Sequence, residues 1–154
     1  MDGALEAVGL AADAASNPFD LGASRRKLLT IASILAMRTP VVILDEPTTG
    51  QDLRTMEQIE TLIGRLSAEG RTVITITHDL RFAAEQFDRI VVMLAGRVVL
   101  DGPPDRVMAP DAWPELRSAW LAPTLPARVG ERLGLGATPT DAALVARLGK
   151  AAPG

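Results

Sequence analysis

Asp45 and Glu46 stand side by side directly after the apolar run Val41-Val42-Ile43-Leu44. Ligand sites in open α/β sheets lie just beyond the C-terminal ends of strands, so a carboxylate pair at that point is placed for chemistry. An Asp there can hold Mg²⁺, directly or through its waters, and a neighbouring Glu can take a proton from attacking water, which is the division of labour that nucleotide hydrolysis needs. An acidic pair that merely caps a loop would look the same. The only histidine, His78, follows the run Thr72 to Ile76. A lone imidazole after a strand is more often structural than functional. The basic triplet Arg25-Arg26-Lys27 reads either as a solvated face or as a contact with something acidic.

These groups need a frame to hold them. Residues 4 to 15 are rich in Ala, Leu and Glu and predict a short helix, stopped by Ser16-Asn17-Pro18 because proline cannot extend it. Ser24 is a candidate N-cap for a second helix running to about Arg38, with Leu28, Ile31, Ala32 and Leu35 on one face. Val41 to Leu44 has the continuous β-branched character of a strand buried on both faces of a parallel sheet. Leu53 to Glu69 returns to helical spacing through Met56, Ile59, Leu62, Ile63 and Leu66, and Gly70 suits a left-handed C-cap. Thr72 to Ile76 is a second strand, so strand, helix and strand form a parallel crossover. Residues 79 to 87 predict a short helix. Arg89 to Leu94 and Arg97 to Leu100 predict a hairpin joined by Ala95-Gly96. Residues 111 to 154 predict a small helical appendage, with Lys150 to Gly154 disordered.

Composition narrows the class. With 47% apolar and 23% charged residues among 154, the chain is a globular α/β protein with one domain as the prior. The formal charge of −3 argues against a nucleic-acid surface, which needs clustered Lys and Arg in excess. The absence of cysteine excludes disulfides and thiolate metal sites. No stretch has the length and apolarity of a membrane span, and the N-terminus lacks the pattern of a signal peptide.

The segment Val41 to Asp52, VVILDEPTTGQD, followed about 25 residues later by Thr77-His78-Asp79, resembles the ATP-binding cassette (ABC) family. The hairpin leading into Asp101-Gly102-Pro103 fits the same pattern, and the resemblance covers roughly residues 16 to 108. It implies part of a P-loop NTPase fold, with a parallel sheet, flanking helices, a C-terminal hairpin and a small helical extension. It implies ATP and Mg²⁺ as cofactors, Asp45 as the Walker B magnesium ligand, Glu46 as general base, and Thr49 to Asp52, including Gly50 and Gln51, as the D-loop that crosses to a partner. His78 becomes the switch histidine that senses the γ-phosphate. It also implies a second ABC ATPase subunit and a transmembrane transporter subunit as partners, and hence a cytoplasmic location on the inner face of the membrane. Ala36-Met37, Gln51, Pro126-Ala127-Arg128 and Leu133-Gly134 resemble the ATPases of energy-coupling-factor importers.

Two departures qualify what the resemblance implies. Family spacing puts the signature loop, usually Leu-Ser-Gly-Gly-Gln, on Leu21-Gly22-Ala23-Ser24-Arg25, where Gly22 has no hydroxyl and Ala23 and Ser24 add side chains at a place of close backbone approach. Ser24 either caps its helix and supplies a hydroxyl by a shifted route, or the loop complements its partner poorly. In addition, no Gly-x-x-x-x-Gly-Lys-[Ser/Thr] occurs, so nothing cradles the β- and γ-phosphates. A truncated reading frame, a fragment of a longer chain and one half of a split protein all fit. The expected organisation is the end of a helical subdomain with the signature region at 1–23, part of the nucleotide-binding domain at 24–110, and an extension at 111–154. The functional expectation is an importer ATP-binding subunit that does not hydrolyse ATP alone. The alternatives are a non-catalytic interaction module of the same fold, and the C-terminal lobe of a chromosome-maintenance or repair ATPase. The last is disfavoured because no heptads precede residue 21.

Overall fold

A computed structural model describes residues 2–151, and the chain divides into two compact units, residues 1–77 and 78–154.

In the first unit, helix α1 (Asp2–Ala7) is followed by a 3₁₀ turn at Ala11–Asp13. The single helix expected over residues 4 to 15 is therefore broken. Gly9 takes φ 71°, a left-handed turn that no helix accommodates, and Val8 and Leu10 are buried on either side of it. Helix α2 (Ala23–Ala36) buries Leu28, Ile31, Ala32 and Leu35 as its spacing predicts. Its N-cap is Gly22, without a side-chain hydrogen bond, so the expectation that Ser24 caps it is wrong. Strand β1 (Val41–Asp45), helix α3 (Leu53–Ala68) and strand β2 (Thr72–Ile76) form the predicted crossover. β1 and β2 pair in parallel, with Val41 opposite Thr72, Ile43 opposite Ile74 and Asp45 opposite Ile76. α3 buries Ile59, Leu62, Ile63 and Leu66. It ends at a left-handed Gly70 (φ 76°), where the Arg71 amide returns to the Leu66 carbonyl in the helix-stop pattern such a glycine permits.

The two-sided burial expected of Val41 to Leu44 does not occur. Val42 and Leu44 are buried, whereas Ile43 is 58% exposed and Ile76 on the neighbouring strand 56%. Side chains alternate across a strand, and within this unit helices cover only one face of the pair.

In the second unit, helix α4 (Leu80–Gln86) precedes an antiparallel hairpin of β3 (Ile90–Leu94) and β4 (Arg97–Gly102). The turn residues Ala95 and Gly96 both have positive φ, as a two-residue hairpin turn requires. Helices α5 (Pro104–Val107), α6 (Trp113–Ser118), α7 (Leu125–Arg132) and α8 (Asp141–Ala151) follow. Leu80, Ile90, Val92, Val107, Met108, Leu116 and Ala127 share one apolar core, so the first part of the predicted appendage packs on the hairpin rather than hanging free. α8 continues through Lys150, which corrects the disorder expected there. A cation in the last turn suits the helix dipole. Residues 152–154 lie outside the described residues.

Trp120 occupies the left-handed position after α6 (φ 61°) and is 94% exposed, while the next amide, of Leu121, closes on the Leu116 carbonyl. Left-handed backbone costs a non-glycine residue on the order of 1 kcal/mol, and an exposed indole returns little packing. Trp120→Gly should therefore stabilise the chain by roughly 0.5–1 kcal/mol in a urea titration. A loss of stability would show that the indole packs on a surface after all.

Candidate functional site

β1 delivers Asp45 to the C-terminal end of the parallel pair, exposed to solvent. Glu46 comes next with φ 43°, an uncommon conformation for a side-chain-bearing residue and one that tends to persist at functional positions. Its amide donates to the Ile76 carbonyl (2.9 Å), extending the β1–β2 ladder by one bond past Asp45. The strained residue is thus pinned to the ends of both strands. Side chains of the loop and of α2 also address Glu46. The Thr49 hydroxyl donates to Glu46 Oε2 (2.8 Å), and Lys27 Nζ donates to the Glu46 carbonyl (3.3 Å).

The loop closes through buried Pro47 and Thr48 and a turn in which the Gln51 amide meets the Thr48 carbonyl. Gly50 has φ 70°. Gln51 Nε2 donates to the Thr49 carbonyl (3.2 Å), while its Oε1 is buried and meets no hydrogen-bond partner among the described residues. Asp52 ends the loop and starts α3: its Oδ1 accepts from the Thr55 amide (2.8 Å) and its Oδ2 from the Ser24 hydroxyl (3.1 Å). Ser24 is therefore spent on Asp52, 28 residues away, instead of on its own helix end. These bonds, the Thr55 amide first, then the Thr55 and Ser24 hydroxyls, hold the Asp52 carboxyl below its ordinary value.

The sign of the resulting pH dependence follows from that lowering. A carboxylate favoured in the folded state stabilises the fold above its unfolded pKa, and the contribution is lost as pH falls through the folded value. The stability advantage of the wild type over Asp52→Ala should accordingly be largest near neutrality and shrink below about pH 4. Urea midpoints measured across that range check it, and a constant difference would count against it.

The other predicted residues are placed as follows. Leu21 is buried and its carbonyl accepts from Arg26 Nη1 (2.5 Å). Gly22 and Ala23 are exposed at the start of α2. Arg25 is ion-paired with Asp13, so one member of the basic triplet does meet an acidic group, and Lys27 reaches the Glu46 backbone. His78 is exposed and opens the second unit, two residues beyond β2. Its neighbour Asp79 caps α4 through the Phe82 amide (3.0 Å). Sequence reasoning missed the contact of Lys27 with Glu46 and that of Thr49 with its carboxylate. A hydroxyl three residues from an acid within a tight loop was a usable local signal for the second, whereas the first depends on how α2 lies against β1.

Mg²⁺ bound with nucleotide typically takes one or two protein carboxylates and completes its shell with phosphate and water. An exposed Asp45 with Glu46 beside it fits that share. Among the described residues no group of three or more His, Asp or Glu could hold a metal by itself. ATP does not fit equally well. The chain has no glycine-rich loop with a lysine, and a cavity of the first unit, lined among others by Arg38, Leu62 and Arg71, includes neither Asp45 nor Glu46.

No protein-family profile matches the chain. It is 44% identical over 128 residues to a Methanosarcina acetivorans protein whose name describes an ABC transporter ATP-binding protein, a match covering 83% of this chain and 20% of the relative. It is 46% identical over 85 residues to the energy-coupling factor transporter ATP-binding protein EcfA of Carboxydothermus hydrogenoformans, covering 55% and 32%. Among solved structures it matches cbiO1 of Clostridium perfringens, part of the ABC transporter complex cbiONQ, at a TM-score of 0.64 and 31% identity over 86% of this chain and 51% of that one. Sequence and fold make this chain a homologue of the ABC transporter ATPases. An ATP-binding cassette in its ADP conformation shares the fold at a TM-score of 0.61. The predicted architecture holds: part of a P-loop NTPase fold with a parallel sheet and a C-terminal hairpin. The chain spans a fifth to a third of these two sequence relatives and about half of cbiO1. No helix among the described residues is long and apolar enough to cross a membrane.

Proposed function

We propose that this chain contributes the Walker B half of an ABC ATPase site in a transporter of the importer type, and that it turns over ATP only when a phosphate-binding loop is supplied from elsewhere. The observation that carries the reading is Glu46, held in left-handed backbone at the ends of two paired strands, with its carboxylate oriented by Thr49. In this role Asp45 holds Mg²⁺, directly or through water, and the ion supplies charge neutralisation at the phosphates. Glu46 accepts a proton from water, and His78 senses the γ-phosphate. Residues 21–25 and the loop Gly50 to Asp52 address the nucleotide of a second ATPase subunit. The Ser24–Asp52 hydrogen bond supports this, because it ties those two segments into one surface. A transmembrane subunit then couples closure of the pair to transport, which places the chain on the cytoplasmic side of the membrane.

Phosphoryl transfer depends almost wholly on positioning and charge stabilisation, and this sequence carries no glycine-rich loop with a lysine to cradle the β- and γ-phosphates. The test is Mg-ATP turnover by the purified chain, alone and mixed with the P-loop half of a related ABC ATPase. Turnover that appears only in the mixture supports the proposal. Turnover by the chain alone refutes the dependence on a supplied loop. If neither turns over ATP while the halves associate, the non-catalytic module is the better reading, which the missing loop favours.

A further inference from the structure

Glu46 stands in a backbone conformation that its own local sequence opposes twice. It carries a side chain at φ 43°, in the left-handed region that such residues seldom occupy. It also precedes Pro47, whose ring pushes the residue before it towards extended backbone. A conformation of this kind persists only where its surroundings hold it. The amide side is held by the ladder bond to the Ile76 carbonyl. The carbonyl side leads into Pro47, which has no amide with which to carry the ladder further, and it is there that Lys27 Nζ donates, at 3.3 Å.

Lys27 comes from a part of α2 that is itself anchored. Its neighbour Leu28 and Ile31, one turn on, are buried. Ser24, three residues earlier and so adjacent on the helix surface, donates to Asp52. The first turns of α2 thus hold the segment from Glu46 to Asp52 at both of its ends. A lysine on an open helix face keeps its rotamer freedom and its ammonium in water, whereas Lys27 is half-buried and spent on a peptide carbonyl.

We infer that Lys27 is a positioning residue: its ammonium locks the peptide between Glu46 and Pro47, and so makes the seat of α2 a condition for where the Glu46 carboxylate stands. The inference rests on the reading of Glu46 as general base. Without the lysine donor, Glu46 turns towards the extended backbone that Pro47 favours, and its carboxylate leaves the Thr49 hydroxyl for another bearing. A misplacement on the order of 1 Å can cost about a hundredfold in rate. Lys27 takes no proton and touches no substrate in this role, so arginine, which keeps an N–H donor, can stand in for it, and methionine, which keeps the length but has no donor, cannot.

Nuclear magnetic resonance of the labelled full chain tests the placement without ATP. The Overhauser effect between the amide and α protons of one residue is strong at positive φ, where the two protons approach closely. A strong effect at Glu46 is expected in the wild type and in Lys27→Arg, and a weak one in Lys27→Met. A weak effect in the wild type overturns the inference, as does a strong one retained in Lys27→Met. Turnover by the complemented site tests the consequence: Lys27→Met should lower kcat by about tenfold to a hundredfold with the KM for Mg-ATP nearly unchanged, and Lys27→Arg should recover most of the loss. A raised KM with kcat kept would make Lys27 a nucleotide contact and overturn the positioning role. So would a loss in kcat that arginine does not repair. If the complemented wild type does not turn over ATP, the proposed function fails, and the resonance experiment alone decides whether Lys27 holds Glu46.

Discussion

Glu46→Gln will lower the ATP turnover of the complemented site by about 10²- to 10⁴-fold, the usual contribution of a general base, while leaving folding and association with the P-loop half unchanged. The substitution keeps the side chain's size and retains an oxygen able to accept from Thr49, and glutamine meets the same left-handed backbone with the same strain as glutamate. What it removes is the capacity to take a proton. Steady-state phosphate release with matched protein concentrations gives the ratio, and gel filtration of the mixture checks association. A fall of less than about threefold would mean that Glu46 is not the base and that its strained backbone serves only the loop. Thr49→Val, which removes the hydroxyl bond but no titratable group, should give a smaller loss and identify Thr49 as a positioning residue.

Gly130→Ala should be strongly destabilising although it replaces a helix-interior glycine. On an open helix that change stabilises by up to about 1 kcal/mol. Here the new methyl carbon would stand 2.0 Å from Thr138 Oγ1 and 3.0 Å from its Cβ and Cγ2. Thr138 is fully buried, and its hydroxyl donates to the Pro126 carbonyl at 2.7 Å. Making room means forcing Thr138 out of its place and breaking its hydrogen bond to the Pro126 carbonyl, so overpacking and a lost hydrogen bond add to a cost of about 2–4 kcal/mol. Urea unfolding monitored by tryptophan fluorescence reads the change. The double variant Gly130→Ala/Thr138→Ala should recover part of it, because the closest contact, with Oγ1, is removed while a tight approach to Cβ and the loss of the hydrogen bond remain. A neutral Gly130→Ala would mean that the Thr138 segment does not lie against α7.

The parts of this protein that sequence made legible are those written in local pattern. The buried stripes of α2 and α3, the two strands of the crossover and the left-handed stop at Gly70 follow from spacing and residue type within a few turns. The acidic pair was legible because two charges end an apolar run. What was hidden depends on partners remote in the chain. Ser24 has the side chain of a cap, but a carboxylate 28 residues away competes for its hydroxyl, and Gly22 takes the cap position. Val41 to Leu44 reads as buried on both faces, because a β-branched run records the strand and not the number of layers around it. Lys27 looked like one of three equivalent surface cations, and only the approach of α2 to the strand ends gives it a separate role.

The uncovered side of the β1–β2 pair has a practical consequence. Val41, Ile43, Ile74 and Ile76, each 44% exposed or more, lie on one face, with Ile43 and Ile74 in register. A flat, β-branched surface of this kind is adhesive towards copies of itself. Light scattering therefore becomes an assay: the concentration at which the purified chain begins to self-associate should rise when another protein masks those isoleucines. In a cell the same surface is a mark for chaperones and proteases, so the chain's half-life would follow the supply of whatever shields it more closely than its own rate of synthesis.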